Sequence, residues 1–133
     1  MAASLAGLPA FILYFALALG LALAYAALYV RVTAHDEIAL IRANVSAAAI
    51  SFGMSLIGFA IPVASAVVNA RTLVDLAVWG VVALAVQIAM YFLVRIVLPD
   101  LSARIASNET AAALTLGCAS VAAGLINASC MTY

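Results

Sequence analysis

The chain has 133 residues, 70% of them hydrophobic, and its ten charges are five arginines and five acidic residues, with no lysine and no net charge. A soluble domain carries about 25% charged residues. A chain with only 8% cannot cover itself with polar surface, so its main solvent is lipid, and the balanced charge excludes the basic face that a nucleic-acid partner requires.

Four uncharged runs meet or nearly meet the roughly 20 apolar residues that a transmembrane helix needs. The first extends from Leu8 to Val30 and is closed by Arg31. No basic segment precedes it, so it reads as a retained span and not as a cleaved signal peptide. The second lies between Arg42 and Arg71, the third between Asp75 and Arg95, and the fourth runs from Thr110 to Tyr133. No period-two alternation runs through them, which argues against a β-barrel. Helices satisfy their own backbone groups in hydrocarbon. The expected fold is therefore all-α: a single polytopic membrane domain of four transmembrane helices.

The links differ in character. The first, Arg31 to Ala43, holds His35, Asp36, Glu37 and Arg42; the third holds Asp100, Ser102, Arg104 and Ser107; the second, around Asn69–Thr72, is short. Arg31, Arg42, Arg95 and Arg104 fall on one side and Arg71 on the other. By the positive-inside rule the first and third links face the cytoplasm of a bacterial inner membrane, and both termini face the periplasm.

The two polar links also match in sequence. Arg31, Asp36, Asn44 and Gly53 recur as Arg95, Asp100, Asn108 and Gly117, at a constant offset of 64 positions, and Ala47–Ala49 recurs as Ala111–Ala113. Arg, Asp and Asn are scarce here, so their shared register points to a duplicated hairpin, with copies near residues 8–70 and 73–133. Two spans per copy make the repeats parallel, related by an axis along the membrane normal. Asn44 and Asn108 are expected to N-cap the second and fourth helices. Asp36 and Asp100 are expected to cap a short interfacial segment, with Ile38 and Ile41 turned to lipid. Arg31 and Arg95 close the first and third helices, where a cation suits the helix dipole and lipid phosphates lie near. As a set, Arg31, Asp36, Asn44, Arg95, Asp100 and Asn108 form a candidate cytoplasmic site for an ion, a headgroup or a protein.

Small residues follow each Asn at helical spacing: Ala47, Ser51, Ser55 and Gly58 in the second helix, and Ala111, Thr115, Ala119 and Ala122 in the fourth. Such faces let helices approach closely in lipid, so these two helices are expected to pack together or to form a subunit contact. Pro62 lacks an N–H and clashes with the carbonyl of Gly58, which predicts a break or kink about 27 Å along the second helix from Asn44. Two carboxamide side chains lie deep within spans, Gln87 and Asn127. Gln87 shares its helical face with Gly80, Ala83 and Tyr91 and reads as interhelical glue.

Chemistry finds little support. His35 is the one histidine and reads as a solvated loop residue. No Cys/His cluster has metal-ligand spacing and no glycine-rich phosphate loop is present. Cys118 and Cys130 lie about 18 Å apart on a helix, too far for a disulfide. No catalytic residue, metal or cofactor is therefore assigned.

The link His35-Asp36-Glu37, the segments Asn44 to Gly53 and Asn108 to Gly117, the break Leu98-Pro99-Asp100-Leu101 and the closing Asn127-Ala128-Ser129-Cys130-Met131-Thr132-Tyr133 together resemble the YjfL-like bacterial inner-membrane proteins, a domain of unknown function. The resemblance covers nearly the whole chain. It implies four spans, a bacterial inner membrane and an association with envelope-stress systems, and it brings no activity or catalytic residue to transfer. The favoured expectation is an oligomeric membrane scaffold or adaptor, in contact with membrane lipids, its own copies and a cytoplasmic protein partner. The alternative is a small channel or transporter with its pathway between subunits.

Overall fold

The computed structural model describes residues 1–131; Thr132 and Tyr133, to which the expected fourth span and the closing motif extend, lie outside the described residues. Seven helices follow one another: α1 (Ala2–Ala6), α2 (Leu8–Val32), α3 (Glu37–Arg42), α4 (Ser46–Asn69), α5 (Leu73–Val97), α6 (Leu101–Ala106) and α7 (Thr110–Cys130). No strand occurs among the described residues. α1 with α2, α4, α5 and α7 are each long and apolar enough to cross a bilayer. The protein is thus an all-α polytopic membrane protein with four transmembrane helices. The polar links are not loops throughout, because each holds a helix of about one and a half turns, α3 or α6.

α4 is the central helix. Its most extensive partner is α7, and it also packs on α5, α2 and α3. The close approach of α4 and α7 depends on small residues, since a Cβ on Gly124 would stand 2.0 Å from the Gly58 carbonyl oxygen. Nothing larger than glycine fits there without moving a backbone, which is how small residues bind helices together in lipid. The expected stripe of α4 is buried in full: Ala47, Ser51, Ser55 and Gly58. In α7 the buried face is instead Ala112, Ala113, Leu116, Gly117, Ser120, Ala123 and Gly124. Ala111, Thr115 and Ala122 are exposed and Ala119 is half-buried. The fourth helix is therefore turned by about one residue from the orientation its offset of 64 implied.

Pro62 does not end α4, which continues through it to Asn69. A proline in a helix removes one N–H and strips the carbonyl four residues back of its partner. Here that carbonyl is Gly58, and the Nε2 of Gln87 on α5 donates to it at 3.0 Å. The expected break is absent because a side chain from the neighbouring helix replaces the missing donor.

The core is filled by Tyr25 and Tyr29 of α2, Phe59 of α4 and Tyr91 of α5, all 2% exposed or less. Tyr25 stacks on Phe59 with ring centroids 4.6 Å apart, and Tyr29 meets Tyr91 edge-on at 6.0 Å. The outer surface is apolar; Leu8, Phe11, Ile12, Leu13 and Phe15 of α2 stand exposed, as a lipid-facing helix requires.

Candidate functional site

The first link is built by two side-chain turns. α2 stops at Thr33, whose extended backbone (φ −69°, ψ 140°) leaves the helix, and whose hydroxyl donates to the Val30 carbonyl at 3.3 Å. Asp36 then N-caps α3 as expected, accepting from the Ala39 N–H at 3.2 Å. A capped start places the next residue, Glu37, in the first turn, where the helix dipole favours a carboxylate. The same turn points Glu37 inward on the face it shares with Leu40, and Glu37 is 0% exposed. Ile38, one residue on, is exposed as expected, while Ile41 is half-buried against the core.

A buried carboxylate is costly unless paired. The Nε2 of His35 hydrogen-bonds to one Glu37 carboxylate oxygen, with both side chains at least nine-tenths buried. His35 is thus not the solvated loop residue that a lone histidine in a polar link suggests: the Asp36 cap folds the chain back so that the ring covers Glu37. The other Glu37 oxygen, the Nδ1 of His35 and the hydroxyls of Tyr29, Ser55 and Tyr91 have no partner among the described residues. Tyr29 borders Ser51 and Ser55 of α4. Between the two links lies an open hollow of about 540 Å³, walled by Ala34, His35, Asp36, Ala39 and Leu40 on one side and Ser102, Ala103 and Ala106 on the other. The hydroxyl of Ser102 there is also unpartnered.

The two asparagines have a different role from the one expected. Asn44 and Asn108 are the non-glycine residues with positive φ, at 64° and 62°. Val45 and Glu109, not the asparagines, hold the N-cap positions of α4 and α7. The Asn44 N–H donates to the Ile41 carbonyl and the Val45 N–H to the Leu40 carbonyl; Asn108 and Glu109 bond in the same way to Ile105 and Arg104. That paired pattern is the Schellman closure, in which a left-handed residue ends a helix, and Asn is the residue that enters this region most readily after glycine. So each Asn terminates α3 or α6 instead of starting the next span. Asn108 still caps a span, but on the other half of the chain: its Oδ1 accepts from the Ala47 N–H at 3.0 Å, at the start of α4. Asn44 is exposed and makes no corresponding bond among the described residues.

The rest of the expected set lies at helix ends. Arg31 and Arg95 occupy the last turns of α2 and α5 and are exposed. Asp100 holds the N-cap position of α6 without a side-chain cap bond. Within the bundle, Gln87 is 1% exposed and shares its buried face with Gly80, Ala83 and Tyr91. Its Nε2 donates to the carbonyls of Gly58 and Ser120 (3.0 and 3.1 Å) and its Oε1 accepts from the Ser120 hydroxyl. Asn127 is half-buried, with its Nδ2 unpartnered. No group of three metal-ligating side chains occurs among the described residues. The feature that sequence reading passed over is the Tyr29–His35–Glu37 cluster with Ser51, Ser55 and Ser120. Its one legible sign is the spacing of Glu37, Leu40 and Ile41, which puts the carboxylate on the apolar face of a capped helix.

A family model described as a domain of unknown function, DUF350, matches residues 3–131. The chain is similar to the protein named UPF0719 inner membrane protein YjfL of Escherichia coli strain K12, at 37% identity over 126 residues, covering 95% of this chain and 96% of that one. The same figures hold for the protein of that name in Escherichia coli O157:H7. No solved structure matches.

Proposed function

Because the chain belongs to the DUF350 family of unknown function, we propose from its own geometry that it is an oligomeric scaffold of the inner membrane, whose two arginine-bearing links meet a cytoplasmic protein partner. One observation carries the reading. α7 turns two faces of small residues in different directions, one into the α4 contact and one, with Ala111, Thr115 and Ala122, outward. An outward small-residue face in lipid gains little from lipid contact and much from close packing with another helix. The bundle interior favours a scaffold over a pore, since Gln87 spends its amide on Gly58 and Ser120. The duplicated-hairpin organisation supports the same reading: two short helices closed by left-handed asparagines give two similar polar turns at one end. The arginine bias argues for a cytoplasmic position of that end. The alternative, a pathway between subunits, has the unpartnered Asn127 Nδ2 in its favour.

Cys118 lies on the outward face of α7 and is exposed. With Cys130→Ser in place to leave one thiol, oxidation in native membrane vesicles is expected to give a disulfide-linked dimer, which Thr115→Leu or Ala122→Leu reduces severalfold. A chain that stays monomeric under oxidation and under longer thiol cross-linkers would refute the scaffold reading.

A further inference from the structure

We propose that His35 and Glu37 form a proton-binding site that loads from the hollow between the links and holds its proton inside the bundle. The proposal is independent of oligomeric state. It rests on a hydrogen-bonded pair at the wall of an open cavity, whose carboxylate is fully buried, with orphaned polar atoms in the core beyond it. His35 forms part of the cavity wall, and its Nδ1 has no partner. Its Nε2 is bound to Glu37. The second Glu37 oxygen is unpartnered, as are the hydroxyls of Tyr29 and Ser55. Beyond them, the Ser120 hydroxyl bonds to Gln87. Native interiors leave few buried polar atoms unsatisfied, and a cluster of them points to a transferable proton or to water.

The chemistry needs one proton and no electrons. At rest the Nε2–H of His35 donates to Glu37 and Nδ1 carries a lone pair. The ring of His35 lines the hollow while its Nδ1 is buried, so a proton from water in the hollow reaches Nδ1 when the link moves enough to wet that edge of the ring. The Nε2 proton then passes to the bound carboxylate oxygen, leaving a neutral imidazole protonated at Nδ1 and a neutral carboxylic acid. The acid proton stays on that oxygen and bonds back to the Nε2 lone pair of His35. Among the described residues no ion pair joins His35 or Glu37 to a further charge, and Arg95 of α5 is exposed. α2 contributes Tyr25 and Tyr29 and α5 contributes Tyr91; α4 has no ionisable side chain, and α7 has only its two thiols. On α6, Arg104 is engaged with Glu109 at 3.3 Å in a partly exposed pair. Asp36, Asp100, Arg31 and Arg42 are exposed.

The test is infrared difference spectroscopy of the full chain in lipid nanodiscs, between alkaline and acidic buffer. A carboxylic acid buried with a single hydrogen-bond partner absorbs at higher frequency than acids in water, so Glu37 separates from Asp36, Asp75, Asp100 and Glu109. The expected result is one high-frequency carboxyl band that grows with acidification and is lost in Glu37→Gln. His35→Gln replaces the hydrogen-bond partner of Glu37, so it should move the band and slow its exchange in deuterated buffer. A band that survives Glu37→Gln, or a folded wild-type chain without a titrating buried carboxyl, overturns the proposal. Should Glu37→Gln fail to fold, His35→Gln decides: it changes the group bonded to Glu37, and an unmoved band overturns the assignment equally.

Discussion

At the scale of single residues, Pro62 and Gln87 act as one unit although they lie on different helices. The proline leaves the Gly58 carbonyl without an intrahelical donor, and the glutamine supplies one. Gln87→Leu should therefore cost about 1–2 kcal/mol, at the upper end for an interhelical bond in a membrane protein, because it also strands the carbonyls of Gly58 and Ser120. In a Pro62→Ala background the backbone amide at position 62 can bond Gly58, so the same change at Gln87 should cost clearly less. Reversible unfolding in mixed detergent micelles, run as a double-mutant cycle, measures the difference; equal costs in the two backgrounds would show the residues to be uncoupled. Half of this unit was legible in the chain. Gln87 stood among small residues and read as glue, but the identity of its acceptor depends on which helix lies opposite, and no local pattern specifies that. His35 was misjudged for the same reason: a charged link looks solvated until its cap folds it back onto the bundle.

At the scale of elements, the asparagines separate two tasks that a sequence motif merges. A left-handed residue that ends a short helix and an N-cap that starts a long one occupy nearly the same place in a polar link. Asn44 performs the first task, and Asn108 performs it while also capping α4. Asn44→Gly should thus leave stability within about 0.5 kcal/mol of the wild type, since glycine adopts the same backbone and no side-chain bond is lost. Asn108→Gly should cost about 1 kcal/mol through the lost cap on Ala47. Asn108→Ala should cost about a further 1 kcal/mol, because an alanine is strained at positive φ. The ranking Asn44→Gly, Asn108→Gly, Asn108→Ala in micellar unfolding checks all three. The four spans themselves were readable from hydropathy alone, as were the Asp36 cap and the buried stripe of α4. The orientation of α7 was not, because its small residues go nearly all the way round and a face cannot be chosen without a partner.

At the scale of the whole molecule, the four spans are unequal. α4 is enclosed by α7, α5 and α2, whereas the first span is fully buried only in its last turns, at Tyr25 and Tyr29, and otherwise touches the bundle through half-buried Tyr14, Leu17 and Leu21. The polar cluster and both short helices gather at the arginine-rich end, and the opposite end is closed by Ala66, Leu76 and Met131. If the arginines face the cytoplasm, a cysteine introduced by Ala2→Cys, in a chain whose own two cysteines are serine, should react with an impermeant maleimide in intact cells with only the outer membrane permeabilised. Labelling that requires the inner membrane to be opened would reverse the orientation.

The bond from Asn108 to Ala47 spans 61 residues of chain. A ribosome adding about 5–20 residues per second needs roughly 3–12 s to make that stretch. For that interval the first half of the protein exists with the start of α4 uncapped, and until α5 follows with Gln87 the Gly58 carbonyl is unserved as well. The early hairpin is consequently an unfinished insertion intermediate, and its backbone must borrow donors and acceptors from interfacial water or from the insertion machinery until the second half arrives to release them.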